Sequence, residues 1–274
     1  VNELLRALAT LIEEPGEGTG AIAEALAIAA PTRADHAALT LFTLYPHASV
    51  YLGADGMAGG EAADRVAGFW RAIELTPPAE PDHLAGLLAL AAALDGHVRR
   101  ALLDEHLLPW LPAWLTRVTE VAPPPYVRWA VVLREVLGRL GEPVDVLPVA
   151  LREATPAFAI GDDHDADTVV RHLLVPVATG VILVRDDLRR AADDLGLGLR
   201  VAERRYALRA LLEQDAAGVL AWLAAECRRQ ADLHDVDGLA APLVRAFHAG
   251  RARSTAAVLE TAGRGKDAAR RRAV

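Results

Sequence analysis

Hydrophobic positions recur with a helical period along most of the chain. Leu4, Leu5, Leu8, Leu11 and Ile12 fall at i, i+3/4 and i+7/8, the spacing of one helix face, and Pro15, Gly16 and Gly18 end the run. The same pattern predicts helices over 22–30, stopped by Pro31, and over 34–45, closed by Pro46. Residues 47–60 hold four glycines and read as an irregular loop anchored by Val50, Tyr51 and Leu52. The helical period returns over 61–75 through Val66, Phe69, Trp70 and Ile73.

Residues 76–81 carry three prolines and form a rigid break. Pro81 sits where a helix should start, with Asp82 in the first turn beside the positive end of the helix dipole. Leu84, Leu87, Leu88, Ala91 and Leu94 carry the apolar stripe to Gly96, and further helices are predicted over 98–106, 110–121 and 126–140. Residues 142–167 are the least regular part, with Pro143, Pro148, Pro156 and an acidic run from Gly161 to Asp167. Helical spacing resumes over 168–177, 186–195, 201–214, 216–233 and 239–249. Val181–Val184 is the only β-branched apolar run, and it is short. No period of 20–50 residues repeats. The expected organisation is an N-terminal helical part (1–141), a hinge (142–167), a C-terminal helical part (168–249) and a disordered basic tail (250–274).

Composition sharpens the fold class. Of 274 residues, 53% are apolar but only 5% aromatic, and the apolar share leans on Ala, Leu and Val, which favours an all-α chain. Lys plus Arg number 29 against 37 Asp plus Glu, a net charge of −8. That balance argues against a general nucleic-acid or anionic-membrane binder and suits a protein that receives a basic partner. The single cysteine, Cys227, excludes a disulfide framework within the chain. No apolar run approaches the roughly 20 residues needed to span a bilayer. Residues 1–12 carry Glu3 and Arg6 and read as an amphipathic helix rather than a signal peptide, so the expected location is the cytoplasm.

Catalytic chemistry finds no foothold. The acidic run fails as a calcium loop: counting from Asp163, the sixth and twelfth places hold Thr168 and Leu174, where a Gly and a Glu are required. The nine histidines do not pair at metal-ligand spacing, and no phosphate loop, dinucleotide fingerprint or nucleophile elbow occurs. The expectation is therefore a protein with no catalytic residues, no metal and no cofactor. Residues 186–212 allow two readings. A helix-turn-helix would place Arg200, Arg204, Arg205 and Arg209 on DNA, as a DNA-binding regulator does. An ordinary helical hairpin would pair those arginines with Asp193, Asp194, Glu203 and Glu213, and the acidic balance favours the hairpin. Glu80-Pro81-Asp82-His83-Leu84 is the most informative segment. It is either a plain helix start, in which a cationic His83 would oppose the dipole, or a junction that presents Asp82 and His83 into a groove, where Asp82 could grip a guanidinium.

The order of landmarks resembles the TorD/DmsD/NarJ family of molybdoenzyme maturation chaperones. The resemblance rests on residues 44–52 (Leu-Tyr-Pro-His-Ala-Ser-Val-Tyr-Leu), 66–70 (Val-Ala-Gly-Phe-Trp) and 80–84, then 105–110 (Glu-His-Leu-Leu-Pro-Trp). Val181-Ile182-Leu183 to Arg190 and Glu203-Arg204-Arg205-Tyr206 follow in the family's order. Leu87 and Ala91 depart from the family pattern, which usually has Glu and Met there. The resemblance implies an all-α chaperone in two helical parts, and the irregular 142–167 hinge leaves the expectation open between a monomer and a domain-exchanged homodimer. Such a chaperone would bind the twin-arginine leader or the apo form of an oxidoreductase catalytic subunit until the molybdenum cofactor is inserted. By position, Glu80, Pro81, Asp82 and His83 would form the peptide-binding region, with Tyr45, Tyr51, Phe69 and Trp70 helping to line it.

Overall fold

The structure, a computed structural model, describes residues 1–161 and 166–272, with Ala166 and 265–272 described by their backbone alone. Among the described residues the chain is all α, with 16 helices, two π-helical turns and no strand. No helix among them is long and apolar enough to cross a membrane. The chain divides into two compact units. One comprises 1–53, 57–153 and 237–244, and the other 54–56, 154–236 and 245–274.

In the first unit the helix Asn2–Ile12 turns Leu5, Leu8, Leu11 and Ile12 inward against the helix Leu84–Ala93, whose residues are almost all apolar and mostly buried. The few aromatic residues are concentrated here. Trp110, Trp114, Trp129 and Tyr126 meet edge to face in sequence, with centroids 6.1–6.5 Å apart. The indole of Trp129 donates to the carbonyl of Leu8 at 3.0 Å, tying the first helix to the helix Pro124–Gly138.

Two helices predicted as regular are broken by wide turns. The helix expected over 34–45 is α-helical only through Arg33–His36 and continues as a π-turn over Ala37–Leu41. The cause is visible in the side chains. Leu39 and Leu44 are both buried, yet positions five apart diverge by about 140° in an α-helix. An i→i+5 turn brings them to one face, with the Phe42 amide bonding the Ala37 carbonyl and the Leu44 amide bonding that of Leu39. The Thr43 hydroxyl takes up the Ala38 carbonyl that the wide turn leaves free. The helix predicted over 98–106 likewise runs as Gly96–Leu102 and then a π-turn over Leu103–Leu107.

Residues 142–167 do not form a simple linker. Residues 142–153 belong to the first unit, where Ala150 and Leu151 are buried, the Glu105 carboxylate accepts the Val149 amide at 2.8 Å, and Arg65 pairs with Glu153 at 3.0 Å. In the second unit, Phe158 is buried and its amide bonds the Ala178 carbonyl. Residues 162–165 of the acidic run, His164 included, lie outside the described residues.

The second unit packs Leu188, Leu208, Leu211, Leu223 and Leu259 into one core. Val181–Val184 is buried but is not a strand. The disordered tail expected from residue 250 is instead helix: Pro242–Arg272 is continuous, and Ala249, Ala252, Ala256 and Leu259 are buried along one side. Alanine is the best helix former, and those small residues recur at helical spacing within a stretch whose composition alone suggested disorder. Residues 273 and 274 lie outside the described residues. The 186–212 region is a helical hairpin. Arg204 donates to the Leu183 carbonyl, Arg205 and Arg209 both pair with Asp167, and Arg209 also meets Glu213.

Candidate functional site

Residues 46–49 and 80–84 are clipped together within the first unit. The Leu84 amide donates to the Pro46 carbonyl at 2.7 Å and the Ala48 amide to the Asp82 carbonyl at 3.1 Å, an antiparallel bridge centred on His47 and His83. The loop expected at 47–60 thus contains a short buried helix, Ala48–Leu52. Its first amides have no partner within the helix. Asp82 supplies two: its carbonyl takes Ala48, and its carboxylate Oδ2 takes the Ser49 amide at 2.8 Å. The Ser49 hydroxyl in turn accepts the Gly59 amide. Asp82 is therefore 2% exposed and caps a helix distant in sequence.

The helix predicted to start at Pro81 starts at Leu84, because His83 is its N-cap. His83 Nδ1 accepts the Ala85 amide at 3.1 Å, which requires a neutral ring. Burial, with the neighbouring His47 second, holds its pKa down at about 4, so no cation opposes the dipole. The two imidazoles meet edge to face at 4.8 Å, and Glu80 Oε2 lies 3.7 Å from His47 Nε2.

Trp70 and Tyr51 brace this clip. The indole of Trp70 donates to the Pro81 carbonyl at 3.1 Å. The Tyr51 hydroxyl donates to the Tyr45 carbonyl at 2.8 Å, and its buried ring lies flat on Trp110, 5.2 Å away and 3° from parallel. Phe69 meets His106 at 4.9 Å. Burial, then the charge of Arg65, holds His106 at a pKa of about 4.

Seven of the eight predicted residues are joined by these contacts, whereas Phe69 meets His106, and their access differs. Asp82 and Tyr51 are buried, while Pro81, His83, Phe69 and Trp70 are half-buried. Only Glu80, with a side chain 69% exposed, and Tyr45, 40% exposed, stand open to solvent. Leu41 and Phe42, 53% and 57% exposed, join Tyr45 on the same stretch and escaped the sequence reading. The signal that could have found them is the five-residue spacing of Leu39 and Leu44. Among the described residues no group of three or more His, Cys, Asp or Glu side chains is placed to hold a metal ion.

The whole clip lies inside residues 34–116, which match the family model described as nitrate reductase delta subunit. Over these residues the chain is similar to the NarJ/TorD family. The match covers less than a third of the chain, and the similar residues at 181–206 lie outside it. No curated protein and no solved structure matches the chain. Chaperones of the NarJ/TorD family serve molybdoenzyme assembly and are non-catalytic.

Proposed function

We propose that this protein binds the N-terminal leader of twin-arginine type, or the apo form, of a molybdenum-cofactor oxidoreductase subunit. It holds that client in the cytoplasm until assembly or export. The observation that carries the reading is the NarJ/TorD match over the segment containing the Glu80–His83 turn and its aromatic neighbours. The net charge of −8 supports it, since such a leader pairs two cations with an apolar stretch.

The energetics favour an apolar grip. Burying four leucine-sized side chains yields roughly 6–12 kcal/mol gross. Ordering the peptide removes about 2–5 kcal/mol, and micromolar affinity needs about −8 kcal/mol. An exposed carboxylate–guanidinium pair adds specificity more than strength. Copurification from the native cell tests the reading. A large oxidoreductase subunit should come down with the tagged protein and should be released by its own synthetic leader. Its absence from the eluate under conditions that induce molybdoenzymes would overturn the proposal.

A further inference from the structure

We infer that the apolar stretch of the leader lies along Leu41, Phe42 and Tyr45 and that its guanidinium meets Glu80, whereas Asp82 is a positioning residue. This rests on the leader-binding reading above and assigns its contacts. Two independent observations lead to it.

The first is the π-turn. Such wide turns are rare and gather at functional sites. Here its consequence is specific. By bringing Leu39 and Leu44 to one buried face, the turn leaves Leu41 and Phe42 pointing outward, three to four residues before Tyr45. Three large apolar side chains, each at least 40% exposed, fall within one five-residue stretch, a local concentration that the rest of the described exposed apolar residues do not match and that we take as a strip. The second observation is charge. Glu80 reaches this stretch through His47, two residues after Tyr45. At 3.7 Å from the imidazole, its carboxylate is too far for a hydrogen bond and keeps acceptor capacity for a cation. An apolar strip ending at an open carboxylate fits a segment in which a cation adjoins an apolar run.

Asp82 is differently placed. It is buried, and its Oδ2 is occupied by the Ser49 amide. Through that bond and the His47–His83 bridge it fixes where Tyr45 and Glu80 stand. It acts on the leader through them.

The test is calorimetric titration of the full chain with two synthetic peptides. One carries two arginines before a leucine- and alanine-rich stretch, and the other has glutamines in place of the arginines. Leu41→Ser with Phe42→Ser should weaken both peptides by about tenfold or more. Glu80→Gln should lower affinity for the arginine peptide about threefold, to that of the glutamine peptide, and leave the latter unchanged. Asp82→Ala should weaken both peptides alike. Asp82→Asn, which keeps an acceptor for the Ser49 amide, should rescue most of that loss and retain arginine discrimination. Loss of discrimination in Asp82→Asn with its retention in Glu80→Gln would overturn the assignment. So would wild-type affinity in the Leu41/Phe42 double variant. A sedimentation shift from dimer to monomer in that variant, with unchanged peptide binding, would make a second copy of the chain the occupant and also overturn it. Failure of the wild-type protein to bind either peptide would instead strike the leader-binding reading itself, and this assignment with it.

Discussion

Gln230 grips both peptide groups of Ile182. Its Oε1 accepts the Ile182 amide at 2.9 Å and its Nε2 donates to the Ile182 carbonyl at 3.3 Å. Thr179 serves the amide and carbonyl of Val181, Arg204 the Leu183 carbonyl and Asp187 the Val184 amide, so side chains together do for this run what a neighbouring strand would do and it is buried without any sheet. Gln230 Nε2 also donates to Glu226, which Arg190 and Arg229 neutralise. Gln230→Leu would leave the Ile182 amide and carbonyl buried and unpaired, at a cost of about 2–4 kcal/mol. Urea denaturation should show a lowered midpoint with little change in slope.

Gly180 admits no side chain. It has φ +72°, and a Cβ there would collide with the backbone of His248 and Ala252. The Thr255 hydroxyl bonds the Thr179 carbonyl beside it, and His234 Nε2 lies 2.8 Å from the Gly180 carbonyl. Gly180→Ala should cost about 2–4 kcal/mol, from backbone strain and the collision together. Thermal melting should register a fall of several degrees, whereas Gly250→Ala, where a Cβ meets open space, should not fall.

Acid should weaken the fold between pH 6.5 and about 4. His83 and His106 hold folded pKa values of about 4 against an ordinary 6.5, so the unfolded chain binds more protons throughout that window. The stabilisation is complete above 6.5 and is lost as pH falls through the folded value. For buried His106 the loss is on the order of 2–3 kcal/mol. His83 faces Glu80, Asp82, His36 and His47, and its protonation also removes the acceptor for the Ala85 amide. Urea midpoints measured across this range should flatten in His106→Gln. A profile unchanged by that substitution would refute the assignment.

Cys227 should be inert in the native protein. It is buried, and that burial, with Glu226 second, pushes its thiol up to about 12. Thiolate, not thiol, is the nucleophile. Modification by an aromatic disulfide reagent should therefore proceed no faster than unfolding and should accelerate with urea. Rapid stoichiometric labelling in buffer would contradict the packing.

Helix faces were legible wherever a run exceeded two turns, as with Leu4 to Ile12. The Ala48–Leu52 helix is one turn long, too short to show a period, and it is built by Asp82 from outside. The π-turns hid for a related reason: one inserted residue shifts the phase, so Leu39 and Leu44 look out of step with a regular helix. The helix beyond residue 250 hid behind its composition, because its buried side is made mostly of small alanines, which pack where backbones approach closely but give a weak hydrophobic signal in sequence. At the site, Glu80-Pro81-Asp82-His83 was legible as important. The roles of its members were not, because the partner of Asp82 is Ser49, more than thirty residues upstream, and only the fold brings them together.

The return of residues 237–244 to the first unit sets an order of events during synthesis. Arg134 waits on the N-terminal helices with its guanidinium aimed at Asp237, 3.1 Å away in the finished fold. The ribosome adds that aspartate only after it has added 154–236. The N-terminal unit therefore forms most of its core early but receives its last acid late. A chain halted at residue 236 would contain every member of the edge-to-face series Trp110, Trp114 and Trp129 while leaving Arg134 without Asp237.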